Sequence, residues 1–188
     1  MPKKKTTKSK KQEKQERKAV KAHLRGETII SNTKEALSLY NQSRFGELKS
    51  GVIYYSIYET LYLVEKGKLQ VYIKTKKISL NQLLEVAKEI DKKSETKFTV
   101  FRDMRDRGYI VKTALKFGAE FRVYEKGIKP GEDHAKWILY PVHENSELTW
   151  HDFAAKNRVA HSTRKNLLIA IVDEEADVTY YEVAWKKP

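Results

Sequence analysis

The chain has 188 residues, is 40% hydrophobic and 34% charged, and carries a formal net charge of +13 with no cysteine. That length holds one medium domain or two small ones, and the apolar content is enough for a real core. Disulfides and thiolate metal sites are excluded. No apolar run approaches the roughly 20 residues that span a bilayer, and no apolar stretch follows the basic N-terminus as a secretory signal requires. The expectation is therefore a cytoplasmic protein with no membrane attachment.

The charge is unevenly spread. Residues 1–23 hold ten Lys and Arg against two Glu, a net +8, so the remainder carries only +5. The stretch "MPKKKTTKSKKQEKQERK" has almost no apolar residue and reads as a disordered tail over 1–23. Such a run serves as a solubilising tail, a set of nucleic-acid phosphate contacts or a localisation signal.

From there the pattern divides into an N-terminal half over 24–92 and a C-terminal half over 93–188. "ETIIS" is a short apolar stretch. In "NTKEALSLYNQSRFG", Ala36, Leu37, Leu39 and Tyr40 suit a short helix ending near Gly46. "GVIYYSIYETLYLVEKGKL" sets Ile53, Ile57, Leu61 and Val64 at helical spacing, with Gly67 as the C-terminal cap. "LQVYI" reads as a strand. "SLNQLLEVAKEID" reads as a helix capped by Ser79, with Leu83, Leu84, Val86, Ala87 and Ile90 apolar. No catalytic constellation shows in this half. The polar "DKKSETK" marks the boundary.

The second half opens with a helix, "ETKFTVFRDMRDRG", ended by Gly108. Three strand-like runs follow: "YIVKTA", "FRVYEK" and "AKWILYPV". A second helix, "WHDFAAKNRVAH", carries a capping-box signature in Thr149 and Asp152. The strands "NLLIAIV" and "VTYYEVAW", joined by "DEEAD", close the chain. The continuous apolar run of "NLLIAIV" predicts a central strand buried on both faces. The fold class is α+β: two mixed α/β domains, the second of order α-β-β-β-α-β-β.

Several chemistries find no support. There is no Walker-type or GxGxxG loop and no HExxH. His151 and His161 lie ten apart on one helix, a rotation of about 1000°, which does not bring them to one face for zinc. Asp91 and Lys93 have the spacing of a metal-dependent nuclease motif, but in a linker. Tyr124 and His134 flank the turn-rich "EKGIKPGED", and Lys165 stands just before the most apolar strand. Each has a bland reading: a half-buried phenol, a structural imidazole, a cation favoured at a helix C-terminus.

Three blocks in order, "RGYIVKTALKFGAEFRVYEK", "DHAKWILYPV" and "RVAHSTRKNLLIAIVDEEADVTYYEVAW", resemble the catalytic domain of the tRNA-splicing endonucleases, especially the archaeal type. "FGELKSG" and "YETLYLVEKGKL" resemble that family's N-terminal domain. The resemblance covers nearly all of the chain except the basic tail, and it puts the family's catalytic Tyr, His and Lys on Tyr124, His134 and Lys165. It implies metal-free, cofactor-free cleavage of precursor tRNA at both exon–intron junctions of a bulge–helix–bulge. The RNA's own 2′-OH attacks the adjacent phosphate, leaving 2′,3′-cyclic phosphate and 5′-OH ends. Tyr124 is then the base, His134 the acid, and Lys165 the cation that stabilises the transition state. A phenol with an ordinary pKa of about 10 is a poor base unless a nearby cation such as Lys165 lowers it; the alternative is that Tyr124 orients the 2′-OH.

The resemblance further implies that Arg158 and Trp185 clamp an unpaired base, and that the chain forms a homotetramer, a dimer of dimers. The strand "VTYYEVAW", through Val178, Tyr180 and Val183, would build the dimer interface. The acidic turn Asp173, Glu174, Glu175 and Asp177 would dock into a basic groove of a neighbouring subunit. The rival readings are a non-catalytic RNA-binding scaffold subunit and a metal-dependent nuclease.

Overall fold

The computed structural model describes residues 19–26 and 28–186, and the chain divides after Val86 into two compact units. Most of the basic tail, residues 1–18, lies outside the described residues.

The N-terminal unit is built on a six-stranded mixed sheet of order β3-β4-β2-β1-β5-β6. Its strands are β1 (Val20–Arg25), β2 (Thr28–Ser31), β3 (Glu47–Lys49), β4 (Val52–Tyr55), β5 (Leu69–Ile73) and β6 (Lys76–Ile78). Only β1 and β5 run parallel. Strand β1 corrects the sequence reading, which left residues 20–23 in the tail. Val20 and Ala22 alternate with polar residues and are both buried, the period-2 pattern of a half-buried strand. The charge run beside them hid it.

Two helices belong to this unit: α1 (Lys34–Ser43), capped by Thr33, and α2 (Ile57–Glu65), capped by Ser56. The expected helix from Ile53 onward is corrected at its start. The β-branched and aromatic run Val52–Tyr55 pairs with β2 and β3, and the Ser56–Glu59 capping box begins the helix. Gly67 stands just past α2 with φ +67, as a C-terminal stop requires.

Glu59 is buried and fully used. It accepts from the backbone N–H of Ser56 and, at 2.9 Å, from that of Gly46. Gly46 has φ +79, and a Cβ there would lie 2.3 Å from Ile53 Cγ2. Helix α3 (Leu80–Ile90) begins at Ser79, whose Oγ accepts from Gln82 N–H while Gln82 Oε1 accepts from Ser79 N–H.

The C-terminal unit follows the expected order. Helix α4 (Ser94–Asp106) precedes β7 (Ile110–Thr113), β8 (Phe121–Tyr124) and β9 (Trp137–His143). Helix α5 (Trp150–Ser162), β10 (Asn166–Val172) and β11 (Val178–Val183) complete it. The sheet order is β11-β10-β9-β8-β7. Strands β9 and β10 are parallel, so the chain must cross between them, and α5 is that crossover. Its capping box at Thr149 and Asp152 is present as the sequence indicates. Strand β10 is paired on both sides, and Leu167 to Ala170 are all buried. The middle position of the sheet belongs to β9.

Helices cover both faces. Ala160 of α5 packs with Ile138, Tyr140, Leu167 and Ile169 on one face. Helix α4 covers the other, where the Phe101 and Phe121 rings lie 5.7 Å apart. Each of these fully buried rings contributes about 2–3 kcal/mol by removing apolar surface from water.

Candidate active site

Three chain segments meet at one end of the C-terminal sheet. Tyr124 ends β8. Lys136 N–H donates to Val123 O at 2.9 Å, which lays the start of β9 beside it. Asn166 N–H donates to Lys136 O at 3.0 Å, which adds the start of β10. His134 precedes Lys136 by two residues, and Lys165 precedes Asn166 by one. The backbone register therefore brings Tyr124, His134 and Lys165 to the same sheet end from three separate stretches of sequence.

Their environments differ. Tyr124 is 5% exposed. The Arg122 guanidinium carbon lies 6.0 Å from the centre of its ring. Burial pushes the Tyr124 phenol above its ordinary pKa, and Arg122 pulls the other way. This corrects the expectation that Lys165 would lower it. Lys165 is half-buried; its Nζ donates to Thr163 O at 2.7 Å and lies 5.7 Å from the Phe117 ring centre. Burial, and then the Arg122 charge, hold its ammonium below the ordinary lysine pKa. It makes no ion pair among the described residues. His134 is exposed, and its backbone N–H donates to Asp133 Oδ1 at 2.6 Å.

A cavity of about 240 Å³ adjoins Lys165, lined by Asn157, His161, Arg164, Asn166 and Trp185 among others. Trp185 is 54% exposed, and its ring lies 4.5 Å from that of His161. Arg158 is exposed on α5 and does not line this cavity. The sequence singled out Trp185 but not its ring partner. His161 was weighed only against His151 as a metal ligand, and nothing in the spacing signals its contact with a residue from the end of β11.

The acidic turn is shaped by its own backbone. Asp177 N–H donates to Asp173 Oδ1 at 2.8 Å, and Ala176 takes φ +66. Glu174 N–H donates to Glu144 Oε1, and Asn145 donates to the Glu174 carboxylate. Glu174, Glu175 and Asp177 remain exposed. On β11, Tyr180 is tied to its own chain. Its hydroxyl donates to Asp103 Oδ2 of α4 at 2.7 Å, and Arg107 lies over its ring. The ring that points away is Tyr181, 54% exposed. With Val183, Ile169, Ile171, Leu148 and Phe153 it lines an apolar cavity of about 380 Å³.

Asp91, weighed as a metal-nuclease carboxylate, accepts from Lys97 Nζ and from the Lys93 backbone N–H. Among the described residues, no group of three or more His, Asp and Glu side chains is placed to hold a metal. No helix among them is long and apolar enough to cross a membrane.

The candidate reactive groups Tyr124, His134 and Lys165 thus lie at one end of the C-terminal sheet. Residues 20–84 match the family "tRNA intron endonuclease, N-terminal domain", and residues 94–180 match "tRNA intron endonuclease, catalytic C-terminal domain". The chain belongs to the tRNA intron endonuclease family. It is 44% identical over 166 residues to a tRNA-splicing endonuclease of Thermococcus kodakarensis, covering 88% of this chain and 97% of that one. It is 41% identical over 172 residues to that of Pyrococcus horikoshii, covering 91% and 99%. A tRNA-splicing endonuclease of Nanoarchaeum equitans is 43% identical over 136 residues, covering 69% and 87%.

Proposed function

We propose that this chain is a metal-independent endoribonuclease that cuts precursor tRNA at both exon–intron junctions of a bulge–helix–bulge. The observation that carries the reading is the convergence of Tyr124, His134 and Lys165 on one sheet end within a catalytic domain of the family. The 2′-oxygen bonds to phosphorus, the bond from phosphorus to the 5′-oxygen breaks, and cyclic phosphate and 5′-OH ends result. His134 protonates the leaving 5′-oxygen. The His134 imidazole is exposed, and imidazole is the side chain most often used for proton transfer of this kind. Lys165 carries its charge to the phosphate, where pre-placed cations stabilise the developing negative charge.

Tyr124 holds the 2′-OH. Burial disfavours its phenolate, so the phenol orients the nucleophile by hydrogen bonding rather than acting as a strong base. The 2′ proton then passes to water. Arg158 and Trp185 contact unpaired bases, since aromatic faces and guanidinium planes both stack on them. The basic tail adds salt-sensitive phosphate contacts in the cytoplasm.

Two cuts per intron need two such sites, and one chain supplies one. The chain therefore assembles with further copies of itself, and its family resemblance supports a homotetramer, a dimer of dimers. The apolar face of β11 around Tyr181 and Val183 supports the isologous contact. The exposed acidic turn supports docking into a basic groove of a neighbour.

The deciding experiment is cleavage of a bulge–helix–bulge RNA in excess EDTA with end-group analysis. Two cuts leaving cyclic phosphates, severely slowed by His134→Ala, are expected. Cutting that appears only on adding magnesium would instead establish a metal nuclease. No cutting under any condition would favour a scaffold subunit or a missing partner subunit.

A further inference from the structure

We propose that Arg122 is a second cationic contact to the scissile phosphate, gripping a non-bridging oxygen beside Lys165. The assignment rests on the RNA-cleavage reading above.

Strand β8 carries Arg122 two residues before Tyr124, so alternation puts both on one face of the sheet. Across the sheet its register partners are Lys112 on β7 and Ile138 on β9. Neither supplies a carboxylate. Arg122 is half-buried, and its Nε is enclosed without a hydrogen-bond partner. The side chain makes no hydrogen bond or ion pair with any described residue. Its guanidinium carbon lies 6.0 Å from the centre of the Tyr124 ring.

That is an unusual state for an arginine. Guanidinium groups taken out of water are normally paired, because a buried donor left unsatisfied is costly and a buried charge more so. Here the cost is compounded by a second cation. Burial, and then the Arg122 charge, hold the Lys165 ammonium below its ordinary pKa. Two like charges sharing a partly buried site, with no acid between them, are relieved when an anion enters. A phosphate fits, and the extra negative charge of the pentacovalent transition state fits better. A guanidinium does not give up its proton, so Arg122 takes no part in proton transfer and acts through charge and its forked donors alone. Tyr124 and Arg122 then divide one strand end between the two reacting partners, the 2′-OH and the phosphate.

The test is single-turnover cleavage of a bulge–helix–bulge RNA by the full-length protein. The scissile phosphate is all-oxygen or carries sulfur at either non-bridging position. Arg122→Gln is expected to slow the all-oxygen substrate roughly 10²-fold. Arg122→Lys should recover part of that loss. Affinity for an uncleavable 2′-deoxy RNA should change by less than about threefold, because many other phosphate contacts remain. The wild type should be slowed by sulfur at one of the two positions, and Arg122→Gln should lose that sensitivity, since the two changes remove the same contact. A residue that merely supports the fold would leave the sulfur effect intact.

An Arg122→Gln variant that cuts at the wild-type rate overturns the assignment. So does an unchanged sulfur effect in that variant, or a wild type indifferent to sulfur at both positions. The sulfur comparison stands even if the variant is less stable, because both rates come from the same folded fraction. A wild type that cuts no bulge–helix–bulge RNA overturns the function itself, and this assignment falls with it.

Discussion

Two lysines of the C-terminal unit sit in opposite circumstances. Lys97, on α4, is 8% exposed and pairs with both Asp91 and Glu120. Burial alone would lower its pKa, but the two carboxylates more than offset that and leave it above the ordinary value. Lys165 is also partly buried, has a backbone carbonyl and an aromatic ring as company, and is held below the ordinary value. The first lysine belongs to a closed network that ties the start of α4 to the approach to β8. The second has an open valence that a phosphate can fill. A buried cation already neutralised by the protein supports the fold, and one left short of an anion is available to a ligand.

The sharpest way to break this contrast is to remove each lysine and read both activity and melting. His134→Ala sets the upper bound, a loss of about 10²–10⁴ in single-turnover cleavage rate. Lys165→Ala should cost about 10²–10³ in rate with little change in melting temperature. Lys97→Met should do the reverse. Cleavage per folded molecule stays near the wild-type level, and stability falls by about 1–3 kcal/mol in urea unfolding, because two carboxylates lose their shared partner. If Lys165→Ala unfolds the protein and Lys97→Met spares its stability, the contrast is wrong.

pH sharpens it further. Lys165 is the proposed transition-state cation, and its folded pKa is below the ordinary 10.5. The rate should therefore fall with rising pH earlier than an ordinary lysine would dictate, and Lys165→Arg should move that alkaline limb upward. The Lys97 network behaves oppositely. A raised lysine pKa adds stability that is fully present below 10.5 and is lost as pH rises through the folded value. Asp91 has a lowered pKa, with burial opposed by its bonds to Lys97 and Lys93. Its share is present above about 3.8 and is lost as pH falls through the folded value. Unfolding midpoints across pH should thus drop at both extremes in the wild type and flatten in Lys97→Met.

Smaller effects test the self-association surface. Replacing Asp173, Glu174, Glu175 and Asp177 with Asn, Gln or Ser should leave dimers by light scattering; persistent tetramers would end the docking role. Tyr181→Ser should weaken self-association while hardly changing the stability of the single chain. Tyr180→Phe should cost about 1 kcal/mol of stability, the worth of its bond to Asp103, and leave assembly alone.

Much of the C-terminal unit was legible because its signals are local. The Thr149–Asp152 box, Gly108 after α4 and the apolar run of β10 each announce an element within a few residues. The N-terminal unit was harder to read. Strand β1 was masked by the charge run that precedes it, and β4 shares its apolar residues with the helix that follows, so period alone could not separate them. Edge strands as short as β3 and β6 bury too little for a pattern to show.

The sequence by itself determined the family, the order of the catalytic elements and the identity of Tyr124, His134 and Lys165 as the residues to watch. The order of elements follows from residue type and spacing along the chain; the family and its three residues follow from the resemblance of whole blocks of sequence. The tertiary structure decided which groups share a site. Arg122 against Tyr124, His161 against Trp185, and Tyr180 bonded to Asp103 while Tyr181 is exposed all depend on register across strands and on which face a helix covers. It also decided the electrostatics, because a pKa responds to burial and to charges brought near by folding, and residue type reveals neither.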